Sequence, residues 1–133
     1  MVEARTPASD DLAEDLEMPW TAFLGWVMGE TVDNCRWLAR ASRNKSACLQ
    51  ATASGNFGKR LVCSSVSWNW VFSGPECALT FRSVCDELGL NEDYVRERIL
   101  SECDNARDIN QVVRYAFEVV IPTCRTGFDG HDD

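Results

Sequence analysis

The side chains that could perform chemistry in this chain are seven cysteines, one histidine and several adjacent carboxylates. The cysteines lie at positions 35, 48, 63, 77, 85, 103 and 124, an odd number with no Cys-x-x-Cys pair among them. Structural zinc sites usually take ligands in such close pairs, because one turn can then preset half of a tetrahedron. The spacing therefore favours reduced thiols that behave as small buried hydrophobic groups over a metal or iron–sulfur site.

The sequence also lacks the groups that catalysis would need. Nucleophilic attack by Cys or Ser normally requires a positioned base, and the one histidine, His131, lies in the acidic C-terminal tail. Glycine-rich phosphate loops of the P-loop or dinucleotide type do not occur in the sequence. Two acidic pairs, at 86–87 and 92–93, are typical of a solvated helix face and of a helix start. The sequence predicts that the protein is not an enzyme and binds no cofactor.

The charges are distributed unevenly along the chain. A net charge of −8 disfavours simple binding of nucleic acid, because phosphate contacts draw their affinity from Lys and Arg. Residues 34–75 nevertheless contain no Asp or Glu, and this segment is consistent either with a solvated loop or with a contact surface for an acidic partner. Its six basic residues are Arg36, Arg40, Arg43, Lys45, Lys59 and Arg60.

Length and composition predict a single all-α domain. A chain of 133 residues with 45% apolar composition can bury one core. It contains no apolar run of about eighteen residues and no signal-peptide pattern, so we expect a cytoplasmic protein without a membrane partner. Residues 1–8 are predicted to be a disordered N-terminus, residues 9–122 a helical domain, and residues 123–133 a disordered acidic tail.

Apolar spacing assigns helices within the first half of this domain. Ser9 is expected to cap a short first helix, and Pro19 to begin a second one. From Trp20 to Leu38, apolar side chains recur every three or four residues, which predicts one buried stripe. The polar, basic segment over residues 42–60 shows no such period and is predicted to be a mobile loop.

The second half contains one ambiguous stretch and one clear helix. Residues 61–72 fit a helix and an alternating strand equally well, and the lack of a partner strand favours the helix. At least two of its three aromatic residues, at 68, 70 and 72, are expected in the core rather than in a platform for stacking single strands. A last helix is expected over 108–120 and should end near Pro122. The predicted core comprises Trp20, Phe23, Leu24, Val27, Leu38, Val66, Phe81, Val84, Leu88, Val95, Ile99, Val113 and Phe117.

Two short helices joined at a glycine are predicted over residues 80–103. Thr80 can cap the first helix, and Gly89 stands where a left-handed residue is needed to end it. Asn91 can then cap the second helix, whose first turn carries two acids. We expect five or six helices in all, with the helices that begin at Pro19 and Asp108 packed around this two-helix unit.

The two-helix segment resembles the helix-turn-helix of transcriptional regulators over about twenty residues. Cys85, Gly89 and Val95 match the small residue, the turn glycine and the branched aliphatic of that motif. The resemblance implies that the helix from Glu92 to about Glu102 is a recognition helix that would present Arg96 and Arg98 to DNA. The order of Trp-containing helices before the segment "FRSVCDELGL" is also similar to small phage and prophage proteins.

Two functions follow as hypotheses. The first is a small regulator of transcription that binds double-stranded DNA, with Arg96 and Arg98 at the groove and the six basic residues of 34–75 on the phosphates. The acids of the first turn, Glu92 and Asp93, oppose this, because they would lie near phosphates. The second is an acidic adaptor or inhibitor that docks on RNA polymerase or another nucleic-acid enzyme. A hybrid that binds both, and a homodimer, are left open.

Overall fold

The computed structural model describes the backbone of residues 7–123 and the side-chain surroundings of residues 20–123. Within the described residues the chain is all-α, as predicted, with no strand. A 3-10 turn over Ser42–Asn44 follows the first helix, and a π-helical turn over Ala116–Val120 follows the last one. The helices are α1 (Pro7–Ala41), α2 (Lys45–Cys48), α3 (Asn56–Phe72), α4 (Phe81–Leu88), α5 (Glu92–Ser101) and α6 (Ala106–Tyr115).

Helix α1 is longer than predicted. It begins at Pro7 and runs without a break through Pro19, so the predictions of a short helix capped by Ser9 and of a second helix starting at Pro19 are wrong. A proline inside a helix removes one backbone hydrogen bond, and that loss does not end this helix. The stripe that α1 buries is made of residues four, three or seven positions apart, namely Leu24, Met28, Thr31, Cys35 and Leu38.

The segment predicted to be a loop, 42–60, is largely helical. It contains the 3-10 turn, helix α2 and the first residues of α3. Asn44 caps α2 by accepting a hydrogen bond from the Ala47 amide, and the Cys48 thiol is buried, 3.2 Å from the Ala41 carbonyl oxygen. The prediction missed this cap because short polar residues give no apolar period.

A close backbone crossing positions the start of α3. A Cβ atom placed on Gly58 would lie 1.6 Å from the carbonyl oxygen of Thr52, so only glycine fits where residues 51–54 pass over this helix. Tyr115 of α6 donates its hydroxyl hydrogen to the Ala51 carbonyl oxygen at 2.8 Å and holds the same segment from the other end of the chain.

The ambiguous stretch 61–72 is helical, as favoured. Leu61, Trp68 and Val71 are buried on α3, and Trp68 donates its indole hydrogen to Asn110 on α6 at 3.1 Å. Trp70 and Phe72 are half-buried against the core, which agrees with the expected core role of this aromatic group. Trp70 and Phe81 form an edge-to-face pair with centroids 5.4 Å apart, joining α3 to α4.

The caps predicted for α4 and α5 are present. The Thr80 hydroxyl accepts from the Ser83 amide while Ser83 accepts from the Thr80 amide, a reciprocal capping box. Gly89 ends α4 with φ +71°, a left-handed conformation that favours glycine. Asn91 caps α5 through the Tyr94 amide. These contacts build the two-helix unit.

The last helix starts two residues before its predicted start and is helical to residue 123, the last described residue, next to the predicted end at Pro122. Helix α6 continues through the π-helical turn, and residues 121–123 are helical as well. Ile109, Val112, Ala116 and Val120 form its buried face. The predicted disordered tail lies outside the described residues from 124 onward, as do residues 1–6 of the predicted disordered N-terminus.

The core is organised around the pairing of α1 with α3, and α4, α5 and α6 pack onto this pair. The prediction that the two-helix unit occupies the centre is therefore wrong. Five predicted core residues are fully or almost fully buried, and Val27, Leu88, Val95 and Val113 are half-buried. Four predicted core residues are exposed: Trp20, Phe23, Val66 and Phe117.

A periodicity argument finds the helices but not their neighbours, because an apolar residue is buried only where another element covers it. In residues 7–123, no helix is both long enough and apolar enough to cross a membrane.

Candidate functional site

The predicted recognition helix, α5, does not offer Arg96 to the solvent. The Arg96 side chain is 27% exposed, and its Nε donates to the Val71 carbonyl oxygen at 2.8 Å. Nη1 donates to Glu92 at 2.9 Å, and the guanidinium lies 4.9 Å from the centroid of the Phe81 ring. Since Val71 belongs to the last turn of α3, Arg96 provides a cation at the negative end of that helix. These contacts of Arg96 join α5 to α3 and α4.

Glu92 accepts from two arginines at once. Arg82 on α4 donates to one carboxylate oxygen at 2.7 Å, and Arg96 donates to the other. The hydrogen bond from Arg82 is the main reason why the pKa of Glu92 is lowered below its ordinary value. Glu92, which was expected to repel DNA, thus joins α5 to α4 through its hydrogen bond from Arg82.

Arg98 is the more accessible of the two predicted groove residues. Its side chain is 61% exposed and lies 4.0 Å from Glu102, one helical turn further on. The same Glu102 accepts from Arg36 of α1 at 2.7 Å and 3.2 Å, through both of its oxygens. This two-point contact, chiefly its hydrogen bond, lowers the pKa of Glu102. One predicted groove residue, Arg98, and one predicted phosphate contact, Arg36, therefore share one carboxylate.

Two further predicted phosphate contacts are also paired within the protein. Arg43 lies 3.6 Å from Asp104, and Lys45 lies 3.2 Å from Asp108 and donates to Gln111 at 2.6 Å. With Arg36, these residues connect the end of α1 and α2 to the loop and helix that follow α5. Surface ion pairs of this type contribute only about 0 to 1 kcal/mol each, so a phosphate could displace the carboxylate. The displaced carboxylate would, however, remain close to the bound phosphate and repel it.

Arg40, Lys59 and Arg60 differ from the other predicted cations. All three are exposed, and the described residues supply no ion pair to any of them. The guanidinium of Arg60 lies over the Trp37 ring, 5.2 Å from its centroid, and Trp37 contacts Phe57 with centroids 5.6 Å apart. Arg40 is one turn beyond Trp37 on α1. We call this surface the basic–aromatic patch and define it as Trp37, Arg40, Phe57, Lys59 and Arg60.

A second surface lies nearer the start of α1. Trp20, Phe23 and Trp26 are 47%, 46% and 61% exposed, yet their rings touch, with centroids 5.9 Å and 6.2 Å apart. The acids Glu30 and Asp33 are exposed and continue the three- and four-residue spacing of Phe23 and Trp26 along the same helix face. These five residues are called the aromatic–acidic stripe.

A shallow apolar groove adjoins this stripe. It lies between α1 and α3, has a volume of about 240 Å³, and is lined by Val27, Thr31, Val66, Ser67, Trp70 and Leu79. Val27 follows Phe23 by one helical turn, so the groove extends the apolar surface of the stripe towards α3. Elsewhere on α1, Gly25 and Gly29 are exposed, and outside their own helical turns no described atom lies within 4 Å of a Cβ built on either one.

The buried cysteines have raised thiol pKa values, chiefly because burial disfavours the thiolate. Burial raises the pKa of Cys35 to about 12 and that of Cys85 to about 11. Cys63 and Cys77 are exposed, and none of the cysteines from 35 to 103 is joined in a disulfide. In the described part of the chain, no three His, Cys, Asp or Glu side chains are grouped so as to hold a metal ion.

Sequence reasoning identified most of the cations but neither surface as such. The signal for the stripe was Trp26, an aromatic residue outside the predicted buried face of α1. Trp37 and Phe57 were not singled out, because the first stands beside an apolar stripe and the second inside a presumed loop.

Comparison with protein-family models finds no matching family, and comparisons with curated proteins and with solved structures find no match. The resemblance to helix-turn-helix regulators and to small phage proteins therefore stays a prediction.

Proposed function

We propose that this protein is an acidic docking factor that binds a basic, partly apolar surface of a partner protein through the aromatic–acidic stripe. The observation that carries the proposal is the set of three exposed aromatic rings in mutual contact on one helix. Clustered exposed rings of this kind mark interaction sites in soluble proteins, and aromatic anchors dominate the energy of protein interfaces.

Charge complementarity defines the partner. Glu30 and Asp33 continue the face of the rings, and the chain as a whole carries a net charge of −8. A second copy docked in parallel is disfavoured, because each of these acids would then face its own counterpart. The partner class that fits is a protein with basic and apolar residues side by side, such as the nucleic-acid channel of RNA polymerase or of another nucleic-acid enzyme.

Affinity capture from nuclease-treated cell extract tests this proposal. The wild-type chain is compared with a Trp20→Ala/Trp26→Ala variant and a Glu30→Lys/Asp33→Lys variant. We expect both variants to lose a basic partner that the wild type retains after nuclease treatment. The matched control, Glu97→Lys/Glu118→Lys, reverses two exposed acids outside the stripe and should retain the partner.

Three results would contradict the proposal. Capture that disappears with nuclease would indicate a nucleic-acid ligand, and capture unchanged in both stripe variants would exclude this surface. Sedimentation of the purified chain tests the third, since a dimer that dissociates in the Trp20→Ala/Trp26→Ala variant would make a second copy the occupant.

The second candidate function is regulation of transcription, with α5 binding double-stranded DNA. Its support is the exposed Arg98 on a helix that follows a tight glycine turn. The ion pairs of Arg96, Arg36, Arg43 and Lys45 argue against it.

A titration with duplex DNA at several salt concentrations tests this second candidate. Each phosphate contact contributes a slope of about −0.9 in log K against log salt. Arg98→Gln should therefore weaken binding and flatten the slope if α5 lies in the groove. Absence of binding at low salt would end this hypothesis.

A further inference from the structure

We infer that the basic–aromatic patch is a binding site for single-stranded nucleic acid, separate from the aromatic–acidic stripe and from α5. This goes beyond the docking function and does not depend on it. The class of ligand follows from two chemical features that occur together on this surface, planar groups that can stack on bases and cations that can contact phosphates.

The stacking groups are the Phe57 ring and the Arg60 guanidinium. Phe57 is 41% exposed although it contacts Trp37, so one part of the ring is anchored and another part is open to a ligand. The Arg60 guanidinium is already held over the Trp37 ring, 5.2 Å from its centroid. Unpaired bases stack both on aromatic rings and on guanidinium planes, which a protein can offer at low entropic cost when they are held in place beforehand.

The phosphate-binding groups are Arg40, Lys59 and Arg60. Arg60 follows Phe57 by three residues on α3, and Arg40 follows Trp37 by three residues on α1, so these two cations share the faces of the rings, while Lys59 is an exposed cation on the adjoining side of α3. Asp33 precedes Trp37 by one turn of α1, but it forms no ion pair with the three cations, which have no carboxylate partner within residues 20–123. Their charge is therefore available to a ligand, unlike that of Arg36, Arg43 and Lys45.

A single strand fits these features better than the other acidic ligands. In a duplex the bases are stacked on one another, and their faces cannot reach Phe57. An acidic peptide would satisfy the cations but supplies few planar groups for the ring. The patch is also small, with three cations, which suits a few nucleotides at a time.

Fluorescence anisotropy with a dye-labelled twelve-nucleotide oligothymidine tests the inference on the full chain. Phe57→Ala should weaken binding about tenfold, because stacking of one base is worth about 1–3 kcal/mol. Lys59→Gln and Arg60→Gln should each weaken binding and reduce the salt slope by about 0.7, the value for one phosphate contact on a single strand.

Two controls separate this site from the proposals above. Arg98→Gln removes an exposed arginine outside the patch and should leave oligothymidine binding unchanged, and so should Trp20→Ala/Trp26→Ala. A duplex of the same length and a labelled polyglutamate peptide are titrated in parallel, and both should bind at least tenfold more weakly than oligothymidine. Circular dichroism spectra of each variant establish that the helices are intact.

The inference would be overturned by any of three results. These are no binding of oligothymidine at low salt, equal binding of the polyglutamate peptide, and a Phe57→Ala variant with wild-type affinity and an intact spectrum. The second result would reassign the patch to an acidic protein. Loss of oligothymidine binding in Arg98→Gln would move the contact to α5 and favour the DNA-reading hypothesis instead.

Discussion

Two arginine-containing regions that look equivalent in the sequence have different roles in the structure. In the α4–α5 region, Arg82 and Arg96 both donate to Glu92, and Arg96 also binds the end of α3. In the basic–aromatic patch, Arg60 lies on an indole ring and has no described carboxylate partner. The comparison teaches that the number of cations in a segment does not measure the charge that a ligand can use. What matters is whether acids from elsewhere in the chain reach them.

The largest effect is expected at the backbone that supports the patch. Gly58→Ala places a Cβ against the Thr52 carbonyl oxygen, and because neither backbone can yield easily we expect a loss of about 3 kcal/mol in the free energy of unfolding. Gly29→Ala is the matched control, since its Cβ meets open space, and it should gain up to about 1 kcal/mol. Urea unfolding measures both. A Gly58→Ala variant as stable as the wild type would show that the crossing can relax.

A pair of arginine substitutions tests the comparison itself. Arg96→Met removes the hydrogen bonds to Val71 and Glu92, so we expect a loss of about 2 kcal/mol. Arg60→Met removes only an exposed cation–π contact, which is worth about 0.5 kcal/mol. The measurement is again urea unfolding. Equal losses for the two variants would mean that Arg96 is no more structural than Arg60, and the distinction between the regions would fail.

The turn of the two-helix unit should show a smaller effect. Gly89→Ala forces a side chain into a left-handed conformation with φ +71°, which costs about 1 kcal/mol. Gly25→Ala, on an exposed helical position with φ in the ordinary range, should instead be neutral or slightly stabilising. Thermal unfolding of the two variants separates the cost of the turn from the general effect of adding a methyl group. A Tm for Gly89→Ala at or above that of Gly25→Ala would contradict the role of the turn.

The smallest expected effect concerns the pKa of Glu92. Arg82 lowers this pKa, so the ionised acid stabilises the fold at neutral pH, and this contribution is lost as the pH falls through the lowered pKa. Arg82→Gln should raise the pKa of Glu92 towards its ordinary value, whereas Arg60→Gln should leave it unchanged. Titration by NMR of the Glu92 carboxyl carbon measures both shifts. The stability difference between wild type and Arg82→Gln should also narrow at low pH.

Local signals in the sequence predicted the two-helix unit well, although they failed at Ser9 and Pro19 in α1. The caps at Thr80 and Asn91 and the left-handed Gly89 depend on neighbouring residues only, and all three are observed. The inner stripe of α1 was also recognised from its period, because a helix surface in contact with a core must be apolar every three or four residues.

Contacts between distant residues could not be predicted in the same way. Arg36 with Glu102, Lys45 with Asp108 and Trp68 with Asn110 join positions far apart in the sequence. No pattern along the chain reports that two such positions meet, so the predicted DNA-facing surface was assembled from cations without the acids that accompany them. The same reason explains why Trp20 and Phe23 were expected in the core, since their period is right but no described element covers them.

The continuity of α1 through 35 residues has a consequence for how the two surfaces relate. Trp26 and Trp37 are eleven residues apart on one helix, which at 1.5 Å per residue sets a spacing of about 17 Å between them. Because both rings face the same side of α1, a protein bound at Trp26 and a single strand bound at Trp37 would lie next to each other along one continuous helix. The distance between the two ligands would then be set by the number of helical residues between Trp26 and Trp37, and not by a flexible linker.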